Sequence, residues 1–143
     1  MRNLNIFKNS RVIVTGHTGF KGSWLTAWLK QLGANVMGIS LDLPTNPSHF
    51  EVSKINLGIK DIRLDIRDKV KLEKKITTFK PNFVFHLAAQ SLVGISYKNP
   101  TMTWQTNVFG TLNILESLRK LKNVCNVVII TSDKCYFNRE IHY

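Results

Sequence analysis

Short apolar runs alternate along the chain with longer segments in which apolar residues recur at every third or fourth position. The runs predict β-strands and the longer segments predict amphipathic helices, because the two elements have different side-chain periods. The predicted strands cover residues 12–14, 35–40, 59–64, 82–86 and 126–131, and the predicted helices cover residues 24–32, 68–79 and 101–121. Proline-containing loops are expected at residues 41–50 and 97–100.

The apolar positions of the predicted helices fall on one side of each helix. In the first two helices this side is expected to face the sheet, and in the third it gives the repeat of an amphipathic helix. The positions are Leu25, Trp28, Leu29 and Leu32 in the first helix, Val70, Ile76 and Phe79 in the second, and Val108, Leu112, Leu115 and Leu118 in the third.

Strand and helix alternate throughout, without an internal repeat or a low-complexity segment. This order is typical of a doubly wound parallel sheet, an α/β fold of the Rossmann type. Right-handed crossovers then predict the strand order 3-2-1-4-5, with the sheet truncated after strand five. The 143 residues suffice for one domain with a sizeable core but not for two.

A glycine loop follows the first predicted strand and opens the first helix. Gly16, Gly19 and Gly22 stand at three-residue spacing. The first allows a sharp turn, the second allows the backbone to approach a pyrophosphate, and the third allows the helix to lie close to the strand. The N–H groups and partial positive charge of the helix N-terminus suit an anion. On its own, such a triplet is also compatible with a simple tight turn.

Asp42 follows the second predicted strand and stands twenty residues after Gly22. A carboxylate at this position is placed to accept both hydroxyls of an adenosine ribose and to repel a 2′-phosphate. The strand, the glycine loop, the helix and the acid together predict a dinucleotide site that prefers NAD to NADP. Lys21 lies inside the loop, where a cation would weaken that preference, and its side chain is expected to face solvent.

Polar and small residues follow the later strands, at the edge where ligands bind in sheets of this kind. They are Asp65, expected to reach the adenine, Ala88 and Ala89, expected to line the ribose, and Ser132, Asp133 and Lys134, expected near the nicotinamide. A hydroxyl, an acid and an amine in a row are groups that proton-transfer chemistry needs. For these last three residues, a solvated turn with a capping side chain is the alternative.

The formal net charge is +11, which permits binding to nucleic acid. The distribution of the charge argues against that function, because no nucleic-acid motif accompanies it and many lysines share one predicted helix as its solvated face. These are Lys69, Lys71, Lys74, Lys75 and Lys80.

The sequence also bears on compartment and metals. It shows no N-terminal signal segment and no run of about 18 apolar residues, so a cytoplasmic location without membrane contact is expected. Cys125 and Cys135 form no CxxC pair and have no histidine-rich neighbourhood. Reduced, unpaired thiols and no metal site are therefore expected.

Short motifs carry a family resemblance over nearly the whole chain. They are GHTGFKG at Gly16, LDIRD at Leu64, HLAAQ at His86, TNVFGT at Thr106 and TSDKCY at Thr131. Together they resemble the extended short-chain dehydrogenase/reductase superfamily and, within it, the nucleotide-sugar 4,6-dehydratases that act on CDP-glucose.

The resemblance implies NAD as the cofactor and a nucleotide sugar, CDP-glucose, as the substrate. Oxidation at sugar carbon 4 precedes loss of water across carbons 5 and 6, and reduction at carbon 6 gives CDP-4-keto-6-deoxyglucose. Ser132 is then expected to hydrogen-bond the oxygen on carbon 4, Asp133 to protonate the leaving hydroxyl, and Lys134 to stand where the base for carbon 5 belongs. Gln90 is expected to bind substrate, and Asn107 to support the site or to serve in packing. The expected cofactor-binding residues are Gly16, Thr18, Gly19, Phe20, Gly22, Asp42, Asp65, Ile66, Leu87, Ala88 and Ala89.

Two departures from the family pattern limit these implications. The family usually reads QPLVR where this chain reads Gln90-Ser91-Leu92-Val93-Gly94, so a substrate contact from that arginine is not expected. The chain has no Tyr-x-x-x-Lys pair and ends at Tyr143, so it is expected to be the NAD-binding portion without the C-terminal substrate domain. In isolation it is then expected to be inactive on CDP-glucose. A non-catalytic NAD-binding module or sensor, or a scaffold that only binds partners, is the alternative.

The helix at residues 101–121 also has an expected role in assembly. In relatives this helix commonly takes part in a dimer interface. A homo-oligomer is therefore expected through an apolar flank around Phe109, Leu112 and Leu118.

Overall fold

One parallel sheet organises the computed structural model, which describes residues 4–132 and 137. Its strands are β1 (Arg11–Thr15), β2 (Asn35–Ser40), β3 (Lys60–Arg63), β4 (Phe83–His86) and β5 (Asn126–Ile129). They lie in the order β3-β2-β1-β4-β5, and every neighbouring pair is parallel. The predicted doubly wound sheet and its order 3-2-1-4-5 are confirmed.

Helices connect these strands. A 3₁₀ turn covers Leu4–Phe7, and the α-helices are α1 (Phe20–Gln31), α2 (His49–Val52), α3 (Lys69–Phe79), α4 (Val93–Lys98), α5 (Pro100–Trp104) and α6 (Thr111–Arg119). A π-helical segment, Gln105–Gly110, joins α5 to α6, so the long helix predicted at 101–121 is one helical stretch with a wider middle part.

The loop predicted at residues 97–100 is wrong. Helix α4 continues to Lys98, and Asn99 caps α5 with its side-chain oxygen, which accepts a hydrogen bond from the N–H of Met102 at 3.1 Å. Pro100 then takes the first helical position, where its missing N–H costs nothing. The proline thus starts a helix here rather than interrupting one.

Two apolar layers sandwich the sheet, because successive side chains of a strand point to opposite faces. Ile13 packs on the side of α3 and α6 with Leu72, Ile76 and Ile114. The neighbouring Val12 and Val14 pack on the opposite side, where Leu29 of α1 and Val36 complete the cluster. Central strands that are buried on both faces therefore read as continuous apolar runs, as observed for β1.

The predicted inward faces of α1 and α3 each need one correction. Trp28 is 52% exposed, because α1 lies too close to the sheet for an indole and buries the small residues Gly22, Ser23 and Thr26 beside Leu29. Val70 is 79% exposed. Leu72, Ile76 and Phe79 form the buried face of α3, and a residue two positions before Leu72 points to the other side of the helix.

The lysines expected on the solvated face of the second predicted helix lie at the surface. The lysines at 69, 71, 74, 75 and 80 are all exposed. Cys125 is a free thiol, and Cys135 lies outside the described residues. None of the helices in the described part of the chain is long and apolar enough to cross a membrane. Residues 4–132 and 137 hold no cluster of three His, Cys, Asp or Glu side chains that suits a metal ion.

Candidate cofactor site

The glycine loop is packed between the ends of β1, β2 and β4. Gly16 has a φ of +73°, which favours glycine, and its N–H donates to the carbonyl of Ile39 at 2.8 Å. A Cβ at Gly16 would lie 2.8 Å from the backbone nitrogen of Ala88. A Cβ at Gly22 would lie 2.1 Å from the carbonyl oxygen of Gly16. These two glycines are therefore required by contacts within the protein itself.

Gly19 differs from the other two glycines of the loop. It precedes α1 with an ordinary extended backbone, φ −71° and ψ 167°, and no side chain caps the helix there. A Cβ on Gly19 would meet only the carbonyl oxygen of Gly16, at 3.3 Å. Its lack of a side chain keeps the N-terminal N–H groups of α1 open to an anion, which is the arrangement that binds a pyrophosphate.

His17, between the first two glycines, is fully buried and anchors the loop to β3. Its Nε2 lies 2.9 Å from Oδ1 of Asp61. The imidazole lies so close to Gly38 that a Cβ on this glycine would be only 2.2 Å from Cδ2 of His17. The imidazole also contacts the ring of Phe50 edge-on, with 5.1 Å between the ring centroids. Burial lowers the pKa of His17, although the hydrogen bond to Asp61 opposes this. Among the described residues, Nδ1 has no hydrogen-bond partner.

Asp42 stands at the end of β2 with its side chain exposed, and both peptide groups around it are held. Oγ1 of Thr18, in the glycine loop, lies 3.2 Å from the carbonyl oxygen of Asp42 and 2.9 Å from Oγ of Ser40. On the other side, Nη1 of Arg63 donates to the carbonyl of Leu41 at 2.9 Å. The carboxylate predicted to meet a ribose is therefore carried by a fixed backbone.

Asp65 and Ile66 follow β3 and face the helix that contains the π-helical segment. The guanidinium of Arg67 pairs with Asp65, with Nη2 at 2.6 Å from Oδ2, and hydrogen bonds from Arg67 are the main reason that the pKa of Asp65 is lowered. Ile66 is buried, and a Cβ on Gly110 would lie 2.6 Å from its Cδ1. The adenine contact expected of Asp65 would thus share this carboxylate with Arg67.

The end of β4 is tied to β1 through Thr15. The Oγ1 of Thr15 accepts hydrogen bonds from the N–H groups of Leu87 and Ala88, each at 3.1 Å. With both acceptor positions used, its own proton is directed to Nδ1 of His86 at 2.6 Å. The backbone is therefore fixed at Leu87, predicted to bind the cofactor, and at Ala88, predicted to line the ribose. Ala89, also predicted to line the ribose, is exposed.

His86 carries this hydrogen-bond chain onward to the long helix. Since Nδ1 of His86 accepts a hydrogen bond from the Thr15 hydroxyl, its Nε2 carries the hydrogen and donates to Oγ1 of Thr111 at 2.9 Å. The hydroxyl of Thr111 in turn donates to the carbonyl of Asn107 at 2.7 Å. His86 is 3% exposed, and burial lowers its pKa to about 4. The imidazole is therefore neutral at physiological pH.

Asn107 and Gln90 form a reciprocal pair between the π-helical segment and the loop after β4. The side-chain oxygen of Asn107 accepts from the N–H of Gln90 at 2.7 Å, and its amide nitrogen donates to the Gln90 carbonyl at 2.9 Å. The Gln90 side chain bonds to the backbone of Leu92 and to Oγ1 of Thr103. The side chain of Gln90, predicted to bind substrate, thus forms hydrogen bonds that stabilise the turn in which Gln90 lies.

Two of the predicted catalytic residues, Asp133 and Lys134, lie outside the described residues. The third, Ser132, is exposed and follows the end of β5 at Ile129 after Ile130 and Thr131. The sequence did not indicate the Thr15–His86–Thr111 chain. A signal was present, because two apolar runs, VIVT and FVFH, both end in a polar residue. The register pairs these two residues, Thr15 and His86, across β1 and β4.

Comparison with known proteins places this geometry in context. Residues 13–140 match a family model described as GDP-mannose 4,6 dehydratase. CDP-glucose 4,6-dehydratase of Salmonella typhimurium is 53% identical over 136 residues, which make up 95% of this chain and 38% of that protein. The chain thus spans well under half of that relative's length.

Two solved structures with a similar fold are UDP-glucose 4-epimerases. UDP-glucose-4-epimerase from Stenotrophomonas maltophila, with bound NAD and formylated UDP-arabinopyranose, has a TM-score of 0.80 and 25% identity and covers 92% of this chain and 40% of its own. UDP-glucose 4-epimerase of Thermus thermophilus, in complex with NAD, has a TM-score of 0.67 and 35% identity and covers 77% of this chain and 34% of its own. Because the family model matches nearly the whole chain, this chain belongs to the GDP-mannose 4,6-dehydratase family.

Proposed function

We propose that this chain is the NAD-binding part of a nucleotide-sugar 4,6-dehydratase that converts CDP-glucose to CDP-4-keto-6-deoxyglucose. The observation that carries the proposal is the open N-terminus of α1 at Gly19, with the exposed carboxylate of Asp42 at the end of the adjoining strand. Support for the substrate comes from the 53% identical relative, whose name specifies CDP-glucose.

The residues present fit a dinucleotide. Gly19 leaves room for a pyrophosphate, and the N–H groups at Phe20 and beyond suit its charge. Asp42 would accept the ribose hydroxyls, and Thr18 fixes the backbone that carries it. When bound, NAD would supply the hydride acceptor and donor for the reaction. The other residues proposed to line the cofactor are Gly16, Gly22, Asp65, Ile66, Leu87, Ala88 and Ala89.

In this proposal the chain's own side chains orient the sugar and move protons. Ser132 hydrogen-bonds the oxygen on carbon 4, and Asp133 gives a proton to the hydroxyl that leaves carbon 6. Lys134 takes the proton from carbon 5, which requires a lowered pKa for its amine. Gln90 contributes to the substrate side, where its turn is held by Asn107.

We propose secondly that these 143 residues, when isolated, bind NAD without turnover, because they include no Tyr-x-x-x-Lys pair. Oxidation at carbon 4 needs a base, and elimination of water needs the carbon-4 ketone first. The purified chain should then bind NAD yet form no 4-keto product from CDP-glucose. Formation of that product by the chain alone would contradict this second proposal.

The experiment that tests NAD binding is a calorimetric titration of the chain with NAD and with NADP. NAD is expected to bind more tightly, because Asp42 accepts ribose hydroxyls and repels a 2′-phosphate. Replacing Asp42 with alanine should reduce the difference between the affinities for NAD and for NADP. Failure to bind either dinucleotide would reject the proposed function.

The flank around Phe109, Leu112 and Leu118 offers a surface for assembly. The flank expected to pair two copies is accessible, since Phe109 is 56% and Leu112 is 47% exposed, although Leu118 is half-buried. We propose a homo-oligomer through this flank, in the cytoplasm, where nucleotide sugars serve deoxysugar synthesis such as that of lipopolysaccharide O-antigen.

A further inference from the structure

Arg63, at the end of the edge strand β3, ties the loop that carries Asp42 to the sheet. Its guanidinium makes two contacts in different directions. Nη1 donates to the carbonyl of Leu41 at 2.9 Å, and Nη2 pairs with Oδ2 of Asp61 at 3.0 Å. A planar, two-pronged donor can bridge a carbonyl and a carboxylate in this way, whereas a lysine cannot make both contacts from one rigid group.

The carboxylate that orients Arg63 is itself held by the glycine loop. The second oxygen of Asp61 lies 2.9 Å from Nε2 of His17. His17 is fully buried against Gly38 and Phe50, so it provides a rigid anchor. The guanidinium of Arg63 also lies over the ring of Phe50, 5.5 Å from its centroid. Its position is thus fixed from three sides, although 37% of its side chain is exposed.

These contacts hold the backbone on both sides of Asp42. The carbonyl of Leu41 belongs to the peptide group that precedes Asp42, and Thr18 contacts the carbonyl that follows it. Holding both peptide groups fixes the direction in which the Asp42 side chain leaves the backbone. A backbone held in this way leaves only the side-chain torsions of Asp42 to be ordered when its carboxylate meets two ribose hydroxyls, so less conformational freedom is lost on binding.

We propose that Arg63 is a specificity-determining residue that, by positioning Asp42, makes the chain select an adenosine ribose with a free 2′-hydroxyl. The inference rests on the proposed NAD binding. A different interpretation is that Arg63 acts simply as a nearby cation. That cation would favour a 2′-phosphate, so its loss would strengthen the preference for NAD, opposite to what positioning predicts.

The test compares dissociation constants for NAD and NADP, measured by calorimetry on the full chain. Arg63→Met keeps an unbranched stem but removes the donors. We expect it to lower the preference for NAD about tenfold, mainly through weaker NAD binding. Arg119→Met is the matched control and should leave the preference unchanged, because within the described residues this arginine forms its ion pair with Glu116 on α6.

A double-mutant cycle separates positioning from general structural support. In an Asp42→Ala background, Arg63→Met should cause no further change in the preference, because the carboxylate it positions is absent. An unchanged or increased preference in Arg63→Met overturns the inference, and so does an equal effect in the Asp42→Ala background. If wild type binds neither dinucleotide, both this inference and the proposed function are overturned.

A second pair of variants keeps the test open if Arg63→Met does not fold. Arg63→Lys retains the charge but not the two-pronged geometry, and Asp61→Asn removes the ion pair while leaving an oxygen acceptor. Both should reduce the preference for NAD. An unchanged preference in both folded variants overturns the inference.

Discussion

The hydroxyl of Thr15 and the imidazole of His86 are 2.6 Å apart, Oγ1 to Nδ1, at the last paired position of β1 and β4. Because Oγ1 of Thr15 also accepts hydrogen bonds from two backbone N–H groups, its own hydrogen is donated to Nδ1 of His86. This contact therefore fixes the neutral form of His86 that carries its hydrogen on Nε2. Protonation of Nδ1 would place two donors face to face. The site therefore has a built-in sensitivity to acid.

Replacing His86 with glutamine should remove part of the acid sensitivity of folding. The pKa of His86 is lowered from 6.5 to about 4 in the folded chain. Below pH 6.5 the unfolded chain therefore binds a proton at His86 that the folded chain does not bind. The contribution of neutral His86 to the free energy of unfolding is thus fully present above pH 6.5 and is lost as the pH falls toward 4. The loss from this residue should be about 2 kcal/mol by pH 5.

Urea unfolding of wild type and His86→Gln between about pH 7 and pH 5 measures this effect. His17, whose pKa is also lowered, adds acid sensitivity of the same sign, so the difference between the two proteins isolates His86. Glutamine preserves one acceptor for Thr15 and one donor for Thr111. Equal pH dependence in both proteins would contradict the prediction.

Alanine at Gly22 and at Gly19 should separate an effect on folding from an effect on NAD binding. Gly22→Ala would place a Cβ 2.1 Å from the Gly16 carbonyl oxygen and should lower the free energy of unfolding by about 3 kcal/mol. Gly19→Ala meets only that oxygen, at 3.3 Å, and should stay within about 1 kcal/mol of wild type. Its NAD affinity should nevertheless fall at least about tenfold, because the methyl group obstructs the pyrophosphate.

Gly94→Ala is the control for this series. Gly94 lies in α4, and nothing stands within 4 Å of a Cβ there. Alanine should raise the free energy of unfolding by about 0.5 kcal/mol without affecting NAD binding. Chemical denaturation and calorimetry on the three variants give both quantities. Unimpaired NAD binding by folded Gly19→Ala would remove the central argument for the pyrophosphate site.

The strand order was predictable from sequence because few topologies remain once strands alternate with helices and crossovers are right-handed. Strand β2 covers the predicted residues 35–40, since it pairs with a neighbour on each side. The edge strands β3 and β5 are shorter than predicted, at Lys60–Arg63 and Asn126–Ile129. In the described part of the chain each pairs on one side only, so fewer hydrogen bonds extend it.

The backbone arrangement around the candidate site was predictable only where a motif is local. The glycine spacing and Asp42 lie within one strand, helix and strand, so their placement follows from sequence. The contact of Thr15 with His86 spans 71 residues and depends on strand register. The apolar parts of the two runs do not alternate with polar residues, so only their polar last residues indicate that register. The exposure of Trp28 has a similar cause. Hydrophobicity marks an apolar side of α1, but the close approach at Gly22 decides which residues fit against the sheet.

The pair formed by Asn107 and Gln90 should make the π-helical segment sensitive to a single charge. Asn107→Asp keeps the acceptor for the Gln90 N–H but loses the donor to its carbonyl, leaving two oxygens opposed at a partly buried position. We expect a loss of about 1–3 kcal/mol in the free energy of unfolding. Asn99→Asp is the matched control, because its oxygen alone caps α5 and aspartate caps equally well. Equal stabilities of the two variants, measured by denaturation, would argue against the pair.

The last prediction concerns association through the flank around Phe109, Leu112 and Leu118. Each leucine-sized side chain that becomes fully buried contributes about 1.5–3 kcal/mol, and the net charge of +11 is screened beyond about 8 Å at physiological salt. Contact burial should therefore outweigh repulsion, and light scattering should show a dimer or larger species at tens of micromolar. Leu112→Lys should shift the chain to monomer, because it desolvates a charge in the contact. Val70→Lys adds the same charge at an exposed valine on α3 and should leave the assembly intact. A monomeric wild type, or a dimer that persists in Leu112→Lys, would show that this flank does not mediate association.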